Sequence, residues 1–420
     1  TIRSFYSINK VIYLVIRALP STPTVIFILV CIFLDALGIG LIVPVLPHLI
    51  GTLTDSGREQ ALWFGALLTT FGLTQFFFLP ILGALSDRIG RRPVLLGGIL
   101  GLGIMFAVPA FCTNLWALLL SRIAGGMLSA NFSVAQAYIA DIVPNNKRAT
   151  YFGKIAATFG AAFTLGPAAG GLLAQIDIRL PFIIACVLCV LNFLYGAFVL
   201  PESLQRKKSR AFNLSELNPL HGIVGVIGKP QSRLTVIVLL LCAMAQNLLH
   251  STWALFAQIR FNWMPVEIGL SVFAMGVSIA LCQGALLPKI LGRFNERKTV
   301  TIGLGVGLGA FLLTAASTWS ILAAAALCLY AFSGTVVPTL QGYLSRLFNH
   351  DKQGSALGAA AGINSLAGAL SPILGTALMV HATSMPTSPL AGMPYYACAV
   401  LLATALLLSM RLKLSDRDTR

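Results

Sequence analysis

Charged residues are scarce in this chain. Only 10% of its 420 residues are Asp, Glu, Lys or Arg, whereas a soluble domain carries about 25%. Hydrophobic residues make up 57%, which excludes an ordinary soluble protein and predicts one that crosses a membrane repeatedly. The apolar runs are continuous and about 20 residues long, without the alternating pattern of membrane β-strands. We therefore predict transmembrane helices rather than a barrel.

Acidic residues are scarcer than basic ones, since 13 Asp and Glu stand against 29 Lys and Arg. A strongly basic balance can indicate a nucleic-acid partner. Here the basic residues sit in short loops between the apolar runs. We therefore predict no nucleic-acid partner and assign the positive charge to the faces of a lipid bilayer.

Histidine and cysteine are few and scattered, with 5 and 8 residues respectively. Cys186 and Cys189 form a CxxC pair inside an apolar run, without the further ligands that a zinc site needs. We interpret them as small packing residues. The sequence also lacks a nucleophile–base pair and a phosphate-binding loop, so it predicts no metal, no cofactor and no enzyme activity.

Twelve apolar runs are long enough to span a membrane, and we number them spans 1 to 12. Their predicted bounds are 24–50, 61–82, 94–111, 115–141, 150–174, 181–200, 232–260, 266–288, 299–316, 320–343, 355–380 and 392–412. The longest loop divides them six and six. This predicts an interfacial segment at 1–23, an N-terminal bundle at 24–200, a linker at 201–231, a C-terminal bundle at 232–412 and a tail at 413–420.

The basic residues fall on one side of these spans. If both termini are cytoplasmic, every Lys and Arg except Arg58, Arg122, Arg179 and Arg260 lies on the cytoplasmic side. This matches the positive-inside rule, and an even number of spans agrees with it. We predict a multi-pass protein whose termini, linker and tail are cytoplasmic.

The two sets of six spans repeat each other. Residues 166–170 in span 5 match 371–375 in span 11, and the loop after span 2 aligns with 291–298 after span 8. Parallel six-helix repeats are typical of transporters whose substrate site lies between the repeats.

The loop at 83–93 is charged and lies at a membrane face, where we predict a tight turn. Its candidate functional residues are Gly83, Asp87, Arg88, Gly90, Arg91 and Arg92. Glycine permits a tight turn, and the carboxylate of Asp87 can accept hydrogen bonds from arginines or a helix start. The simpler interpretation is a topology signal without a moving part. The second copy of the loop has Gly292 in place of Asp87, so the arrangement should be one-sided.

Two ionisable side chains stand inside predicted spans of the first half. Asp35 lies near the middle of span 1, where a carboxylate costs about 3 kcal/mol or more and is functional by default. Arg122 in span 4 needs a partner, and Asp35 is the one clear acid in these spans. We predict that the two communicate, directly or through water or Gln136. A helix-packing hydrogen bond for Asp35 and backbone carbonyls for Arg122 are the alternatives.

These motifs resemble the major facilitator superfamily and, within it, the bacterial tetracycline/proton antiporters. The matching stretches are 34–47, 83–93, 121–125 and 160–171 in the first half and 251–256, 260–263 and 339–342 in the second. The resemblance implies an all-α membrane protein with twelve transmembrane helices in two pseudo-symmetric six-helix bundles. It also implies a monomeric exporter in the bacterial inner membrane that exchanges protons for a small amphipathic organic compound by alternating access.

The resemblance further implies roles for individual residues. In the family, the loop at 83–93 is a cytoplasmic latch, and Asp141 belongs to its charge network. The arginine at the place of Arg122 takes part in proton coupling, here with Asp35. Small residues of span 5 form a motif associated with exporters, namely Gly160, Gly166, Pro167, Gly170 and Gly171. Generic packing of small residues is the alternative for span 5.

Polar and aromatic side chains inside the spans are candidates for a substrate cavity. They are Gln75, Asn131, Gln136, Gln246, His250, Trp253, Phe256, Gln283, Gln341 and Asn364. Three of the glutamines, at 75, 283 and 341, match glutamines of the tetracycline antiporters. Amides and aromatic rings together predict a neutral cavity, although each alone is as typical of helix packing.

The chain departs from the tetracycline antiporters in spans 3, 8 and 9. The family has acids in spans 3 and 9 and a histidine in span 8, and here those positions fall near Met105, Gly307 and Ile279. This argues against a metal–tetracycline complex as substrate and leaves proton coupling to Asp35, with His250 as a second candidate. A carrier of a native metabolite such as a siderophore and a non-transporting receptor remain alternatives.

Overall fold

The structure is a computed structural model that describes residues 22–144, 147–203, 226–228, 230–287, 289–290, 295–348, 353–384 and 388–412. Nearly all of the predicted interfacial segment at 1–23, most of the linker at 201–231 and the tail at 413–420 lie outside the described residues. Predictions about those three segments stay predictions.

Within the described part of the chain, 12 helices are long and apolar enough to cross a membrane. The helices of the spans, in order, are Thr22–Ile42, Gly57–Ile89, Arg91–Phe111, Leu115–Leu128 with Asn131–Ile142, Arg148–Ala174, Leu180–Val199, Pro230–Phe261, Pro265–Leu281, Glu296–Ala316, Ser320–Tyr330 with Val336–Arg346, Gln353–Ser384 and Met393–Ser409. The prediction of an all-helical protein with twelve spans is confirmed. A short helix, Leu46–Gly51, follows span 1.

The two halves follow the same packing plan, as expected for repeats. Span 1 packs against spans 5 and 6, and span 3 against spans 4 and 6; their counterparts are span 7 against spans 11 and 12, and span 9 against spans 10 and 12. The halves meet where span 5 packs on span 8 and span 2 packs on span 11.

Glycines set the distance between the halves. A Cβ atom added at Gly269 of span 8 would overlap the carbonyl oxygen of Pro167 in span 5. One added at Gly171 would lie 2.5 Å from the carbonyl oxygen of Pro265, closer than real Cβ atoms approach. A side chain larger than glycine therefore cannot enter these contacts without moving the helices apart.

The same helices separate toward the loop at 83–93. We call the side of the bundle that carries this loop the basic face and the other side the opposite face. Cβ atoms added at Gly160 of span 5 and at Gly284 of span 8 meet no atom of the described residues within 4 Å. The same holds for Gly83 in span 2 and Gly358 in span 11. Among the described residues, the halves are therefore in contact toward the opposite face and apart toward the basic face.

The charged turn is shorter than predicted. Span 2 stays helical through Ile89 and the next helix begins at Arg91, so the turn is the single residue Gly90. Gly90 has a φ of 115°, in a region that side chains rarely adopt, so glycine is required there. Gly83, predicted to assist the turn, lies inside the helix. Charged residues continue the helix because, at a membrane face, their side chains reach water.

Spans 4 and 10 are interrupted at corresponding places. In span 4 one helix ends at Leu128 and the next begins at Asn131. In span 10 a 3-10 segment, Ala331–Thr335, separates two helices. The offset that aligns the repeats places Ser129 of the first break on Gly334 of the second. The sequence predicts continuous helices here, because hydropathy does not show where neighbouring side chains bond the backbone.

Candidate transport site

Asp35 lies inside the first half, where spans 1, 4 and 6 meet, and is 5% exposed. Nδ2 of Asn131 donates a hydrogen bond to its Oδ2 at 2.6 Å, and Nδ2 of Asn192 donates one to its Oδ1 at 2.9 Å. Both carboxylate oxygens are therefore held by neutral amides. No ion pair joins Asp35 to another residue that the structure describes.

The side-chain oxygens of the same two asparagines are buried hydrogen-bond acceptors. Oδ1 of Asn131 and Oδ1 of Asn192 are buried without a hydrogen-bond partner, which ordinarily costs about 1–3 kcal/mol for each atom. A protonated Asp35 can donate to one of these oxygens once that amide rotates. The same pair of amides can therefore bond Asp35 either as a carboxylate or as a carboxylic acid.

Asn192 was not among the predicted site residues. It stands in span 6, flanked by Leu191 and Phe193. Its signal is a lone amide within an otherwise apolar run, which in a membrane needs a partner. The partner comes from another helix, so the sequence alone does not connect Asn192 with Asp35.

Arg122 is 7% exposed, and its Nη1 lies 3.4 Å from Sδ of Met105. Within the described ranges the guanidinium forms no ion pair, so the direct contact with Asp35 is absent. The backbone carbonyls of the alternative interpretation do not hold it either, because a weak thioether acceptor takes their place. Gln136 is half-buried, and its relay role stays a prediction.

Three adjoining cavities of about 280, 300 and 260 Å³ meet at Asn364. Their lining residues with amide or imidazole side chains are Gln75, Gln246, Asn247, His250, Gln283, Gln341 and Asn364, and those with hydroxyl groups are Ser251, Tyr330, Ser333 and Ser365. The cavity of about 300 Å³ lies between the halves, because Phe71 and Phe76 of span 2 face spans 7 and 11 across it. Together the cavities have the size and the amide-rich lining of a small-molecule site.

Three residues that were predicted to line the substrate cavity, Asn131, Phe256 and Gln136, do not line any of the three cavities. Asn131 binds Asp35 instead. Phe256 is fully buried and packs on Tyr395, with ring centroids 4.8 Å apart. Gln136 is not among the residues that line the three cavities. Residue type alone does not distinguish a cavity-facing position from a core-facing one on the same helix.

Trp253 belongs to a smaller pocket beside the main cavities. With His250 it lines an apolar space of about 40 Å³ that Val43 and Phe163 of the first half also border. The indole Nε1 donates to Oγ of Ser271 at 2.9 Å. This pocket can take an apolar group of a ligand bound in the main cavity.

In each half, one glutamine lines the cavity and donates a hydrogen bond to a residue of the helix break. Gln75 donates to Oγ of Ser129 at 3.0 Å and to its carbonyl oxygen at 3.4 Å. Gln283, in the π-helical turn Cys282–Leu286, donates to the carbonyl oxygen of Gly334 at 3.1 Å. The breaks expose backbone acceptors that a continuous helix would use internally.

The exporter motif of span 5 lies at close helix contacts, with one exception. A Cβ atom added at Gly166 would lie 2.7 Å from Cα of Gly40, and one added at Gly170 would overlap the carbonyl of Leu41. The adjacent Pro167 and Gly171 contact span 8, as described above. Gly160 faces open space in this conformation, so its small size is not explained by packing here.

Arg91 is the hub of the predicted latch. Its guanidinium lies 2.5 Å from Asp87 and 3.2 Å from Asp141 and donates to Oγ of Ser86 at 2.6 Å. Asp141 thus joins this network, as the resemblance implies. Arg88 is exposed, and the structure does not make Asp87 the centre of the group.

The start of span 3 is capped by Glu202, a residue that the sequence did not indicate. Oε1 accepts from the backbone N–H of Arg91 at 2.9 Å, and Oε2 accepts from that of Arg92 at 3.2 Å. Arg92 also donates to the carbonyl oxygen of Ala197. A carboxylate stabilises the N-terminus of a helix. It also occupies the space beside Gly90, where an added Cβ atom would overlap it.

The second half has its own ion pair at the basic face. Arg346 lies 2.5 Å from Glu296. The repeat offset places these residues on Asp141 and Arg91, with the charges exchanged. Each half therefore carries an ion pair, between spans 3 and 4 or between spans 9 and 10. The predicted one-sided arrangement concerns Gly292 at the place of Asp87, and it stays a prediction because position 292 lies outside the described residues.

Replacing Arg91 by Gln is expected to destabilise the protein more than replacing Asp87 by Asn. The Arg91 side chain is 11% exposed, while that of Asp87 is 59% exposed. Loss of a charged hydrogen-bonding hub costs about 1.5–3 kcal/mol, whereas an exposed ion pair contributes about 0–1 kcal/mol. Thermal unfolding in detergent ranks the two variants, and a larger loss for Asp87→Asn would contradict the assignment of Arg91 as the hub.

At the opposite face, side-chain hydrogen bonds join the halves. Nε2 of His48 donates to the carbonyl oxygen of Trp263 at 3.0 Å, and Nε2 of Gln60 donates to Oε1 of Gln258 at 3.1 Å. His48 lies beyond span 1, in the helix Leu46–Gly51. Burial lowers the pKa of His48 below its ordinary value of 6.5.

Acid is expected to open the opposite face. Because closure lowers the pKa of His48, the closed form binds a proton less well than a form with hydrated His48. Protonation below about pH 6.5 therefore favours opening, and higher pH favours closure. Spin labels at cysteines replacing the exposed Ile176 and Leu390, in a cysteine-free background, report the separation of the halves. The acid response should shrink in His48→Gln, and an undiminished response there would exclude His48 as its source.

Comparisons with known proteins agree with this geometry. The model of the Major Facilitator Superfamily matches residues 28–316 and 285–420. The chain belongs to the major facilitator superfamily. Over 364 residues it is 36% identical to the class C tetracycline resistance protein of Escherichia coli, covering 87% of this chain and 91% of that protein.

Two further relatives of this superfamily member differ in what they handle. It is 28% identical over 359 residues to the quinolone resistance protein NorA of Staphylococcus aureus, covering 83% of this chain and 88% of that protein. The crystal structure of the human organic anion transporter MFSD10 (TETRAN) matches with a TM-score of 0.67 at 25% identity, covering 93% of this chain and 100% of that one. The chain is therefore a multi-pass membrane transporter related to tetracycline and quinolone resistance proteins.

The predicted departures from the tetracycline antiporters can now be placed in the superfamily fold. Met105 is buried and contacts Arg122. A Cβ atom added at Gly307 would lie 2.7 Å from Oγ of Ser333, so the position has no room for a carboxylate as packed. Ile279 lines the cavity and makes its surface apolar there.

Proposed function

We propose that this transporter is a proton-coupled exporter of a small amphipathic organic compound. In this proposal it acts as a monomer in the inner membrane of a bacterium, with the basic face and both termini in the cytoplasm. The concentration of Lys and Arg in the loops of that face supports the orientation. The relationship to two kinds of resistance protein supports export.

The environment of Asp35 carries the proposal. Its carboxylate is buried and is bonded by two amides rather than by a cation. The two unpartnered oxygens of Asn131 and Asn192 belong to the same amides and offer acceptors to a protonated Asp35. This supports a carboxyl group that can be bonded in either protonation state.

Alternating access follows from the way the halves meet. In the described conformation the substrate enters from the basic face, and contacts at the opposite face block its exit. A Cβ atom added at Gly72 of span 2 would lie 3.0 Å from the carbonyl oxygen of Gly368 in span 11. Continuing this pairing along both helices brings Gly83 to Gly358. We assign these two glycines to the closed basic face of the other conformation, beside the latch.

The cavity favours an uncharged or weakly charged amphipathic substrate. Its polar lining consists mainly of amides, and aromatic side chains flank them. The positions at Met105, Gly307 and Ile279 offer no carboxylate or imidazole. The proposed substrate is therefore a compound that enters without a metal ion.

An organic anion is the second candidate substrate, because of Arg122. Its guanidinium is buried, and a thioether is its hydrogen-bond partner among the described residues. A buried cation without a counter-charge is costly. Arg122 does not line the three cavities in this conformation, so in this proposal a substrate carboxylate supplies the charge once the helices of the first half move. The relative MFSD10 is an organic anion transporter.

A binding screen followed by a transport assay tests both candidates. Purified protein is heated with tetracycline, norfloxacin, ethidium, ibuprofen or ibuprofen methyl ester, and the ligand with the largest thermal shift becomes the probe. Acid-loaded everted vesicles should release luminal protons when the probe is added. Binding without proton release would contradict coupled export. Preference for ibuprofen over its methyl ester, lost in Arg122→Gln, would establish the second candidate over the first.

A further inference from the structure

The candidate proton site and the substrate cavity meet at the break in span 4. Asn131, the first residue after the break, donates to Asp35 at 2.6 Å. Ser129, two residues earlier, accepts from Gln75 at 3.0 Å. Gln75 lines the cavity between the halves. Ser129 itself has φ −82° and ψ 82°, outside the helical range.

We propose that this break transmits the protonation state of Asp35 to the substrate cavity, with Ser129 as the positioning residue for Gln75. The inference rests on the proposed role of Asp35 as the proton carrier. The carboxylate accepts from both amides, whereas the acid must donate one hydrogen bond. Asn192 also donates to the carbonyl oxygen of Cys31 at 3.2 Å. Asn131, whose side-chain hydrogen bond among the described residues is the one to Asp35, is therefore the amide that rotates, and the residues of the break move with it. Gln75 changes position because it is bonded to both the hydroxyl and the carbonyl oxygen of Ser129.

Close packing on both sides of the break makes this transmission effective. A Cβ atom added at Gly98 of span 3 would overlap Oδ1 of Asn131. On the other side, one added at Gly126 would overlap the hydroxyl of Thr74, which is next to Gln75 in span 2. Because span 3 and span 2 both pack closely against the break, small movements of neighbouring side chains cannot accommodate a rotation of the Asn131 amide. The displacement must pass along span 4.

The second half contains the same break without an acid behind it. Gln283 bonds the carbonyl oxygen of Gly334, just as Gln75 bonds Ser129. The repeat offset places Leu240 on Asp35 and Val336 on Asn131. The second break therefore contributes to the shape of the cavity, but no acidic side chain lies behind it whose protonation it could transmit. The chain thus supplies its own control for the proposed coupling.

Reciprocity makes the coupling measurable as proton release. If protonation of Asp35 changes the cavity, ligand binding must change the proton affinity of Asp35 by the same factor. Calorimetry of the purified full chain in two buffers of different ionisation enthalpy gives the protons released per bound probe. The probe is whichever of tetracycline, norfloxacin and ethidium gives the largest thermal shift. Protons from the probe itself cancel when variants are compared.

Ser129→Ala is the decisive variant, and Thr335→Ala, at the second break and outside the lining of the three cavities, is its matched control. Ser129→Ala should bind the probe within about threefold of the wild-type affinity while losing at least about half of the proton release. Thr335→Ala should release as many protons as wild type, and Ser129→Thr, which keeps the hydroxyl, should restore release. If Ser129→Ala does not fold, Ser129→Gly, which also removes the hydroxyl, replaces it and should show the same loss.

The outcomes separate this inference from the proposed function. Unchanged release in Ser129→Ala, with release abolished in Asp35→Asn, would overturn the inference and leave the proposed function standing. Unchanged release in Asp35→Asn would overturn the proposed function itself. Loss of probe binding in Ser129→Ala alone would also count against the inference, because the hydroxyl would then act on the site rather than on coupling.

Discussion

Replacement of Asp35 by Asn is expected to abolish proton-driven accumulation while preserving probe binding. Asn has nearly the same shape, so Asn131 and Asn192 can still bond it, but it cannot gain or lose a proton. With one proton per substrate, a gradient of about two pH units supports about a hundredfold accumulation, at 1.36 kcal/mol per unit. In proteoliposomes the wild type should approach that ratio, and the variant should only equilibrate the probe.

An exposed acid outside the spans supplies the control for this experiment. Asp177 is exposed in the loop between spans 5 and 6, and Asp177→Asn removes the same charge without touching the proton site. It should accumulate the probe like wild type. Asp35→Asn should still exchange internal for external probe, since exchange needs no net proton movement. Normal accumulation by Asp35→Asn would remove Asp35 from the coupling mechanism.

Gly269→Ala is expected to prevent closure of the opposite face. The added methyl group would overlap the carbonyl oxygen of Pro167 across the contact of spans 5 and 8. Overpacking of this kind costs about 1–3 kcal/mol, which shifts the equilibrium about tenfold toward the conformation in which the helices separate there. Spin labels at positions 176 and 390 should show a larger population of long distances, and transport should fall because the cycle cannot complete.

Gly309→Ala is the matched control, because a Cβ atom added at Gly309 of span 9 meets nothing within 4 Å. Each half keeps its internal packing in both variants, so both should fold and remain monodisperse. The label distances of Gly309→Ala should match those of the wild-type background. If Gly269→Ala also matched it, the glycine contact would not hold the opposite face closed.

The twelve transmembrane helices could be predicted from the sequence because their formation depends on hydropathy. Runs of about 20 apolar residues form helices in a membrane whatever their neighbours are. The breaks at Ser129 and Gly334 were not predictable in this way. They are stabilised by Gln75 and Gln283 from other helices, and a hydropathy pattern carries no information about such partners.

The charged residues of the candidate site could be predicted one by one, but Asn192 and the arrangement of the site could not. Asp35 and Arg122 stood out because a charge inside a span is costly. They were predicted to communicate directly or through water or Gln136. The direct contact is absent in this conformation, since Asn131 and Asn192 hold Asp35 and Met105 lies against Arg122, and the indirect route stays a prediction. A neutral amide inside a span is a weaker sequence signal than a charge, although it can form a hydrogen bond with a carboxyl group in either protonation state.

At the membrane face, too, the sequence predicted the charged residues of the latch but not their contacts. The charged residues at 83–93 predicted a network, but not that Arg91 would be its centre or that Glu202 would cap the next helix. Glu202 lies beyond span 6, and the fold alone brings it to the start of span 3. Its role explains why no side chain fits beside the turn at Gly90.

Difference infrared spectroscopy tests the central claim most directly, because it observes the protonation of Asp35 itself. Probe binding to the wild-type protein should remove an absorption band of a protonated carboxyl group, and the band should shift in heavy water. The change should be absent in Asp35→Asn and retained in Asp177→Asn. A band change that persists in Asp35→Asn, or binding without any carboxyl signal in the wild type, would contradict the exchange of a proton on Asp35 for substrate.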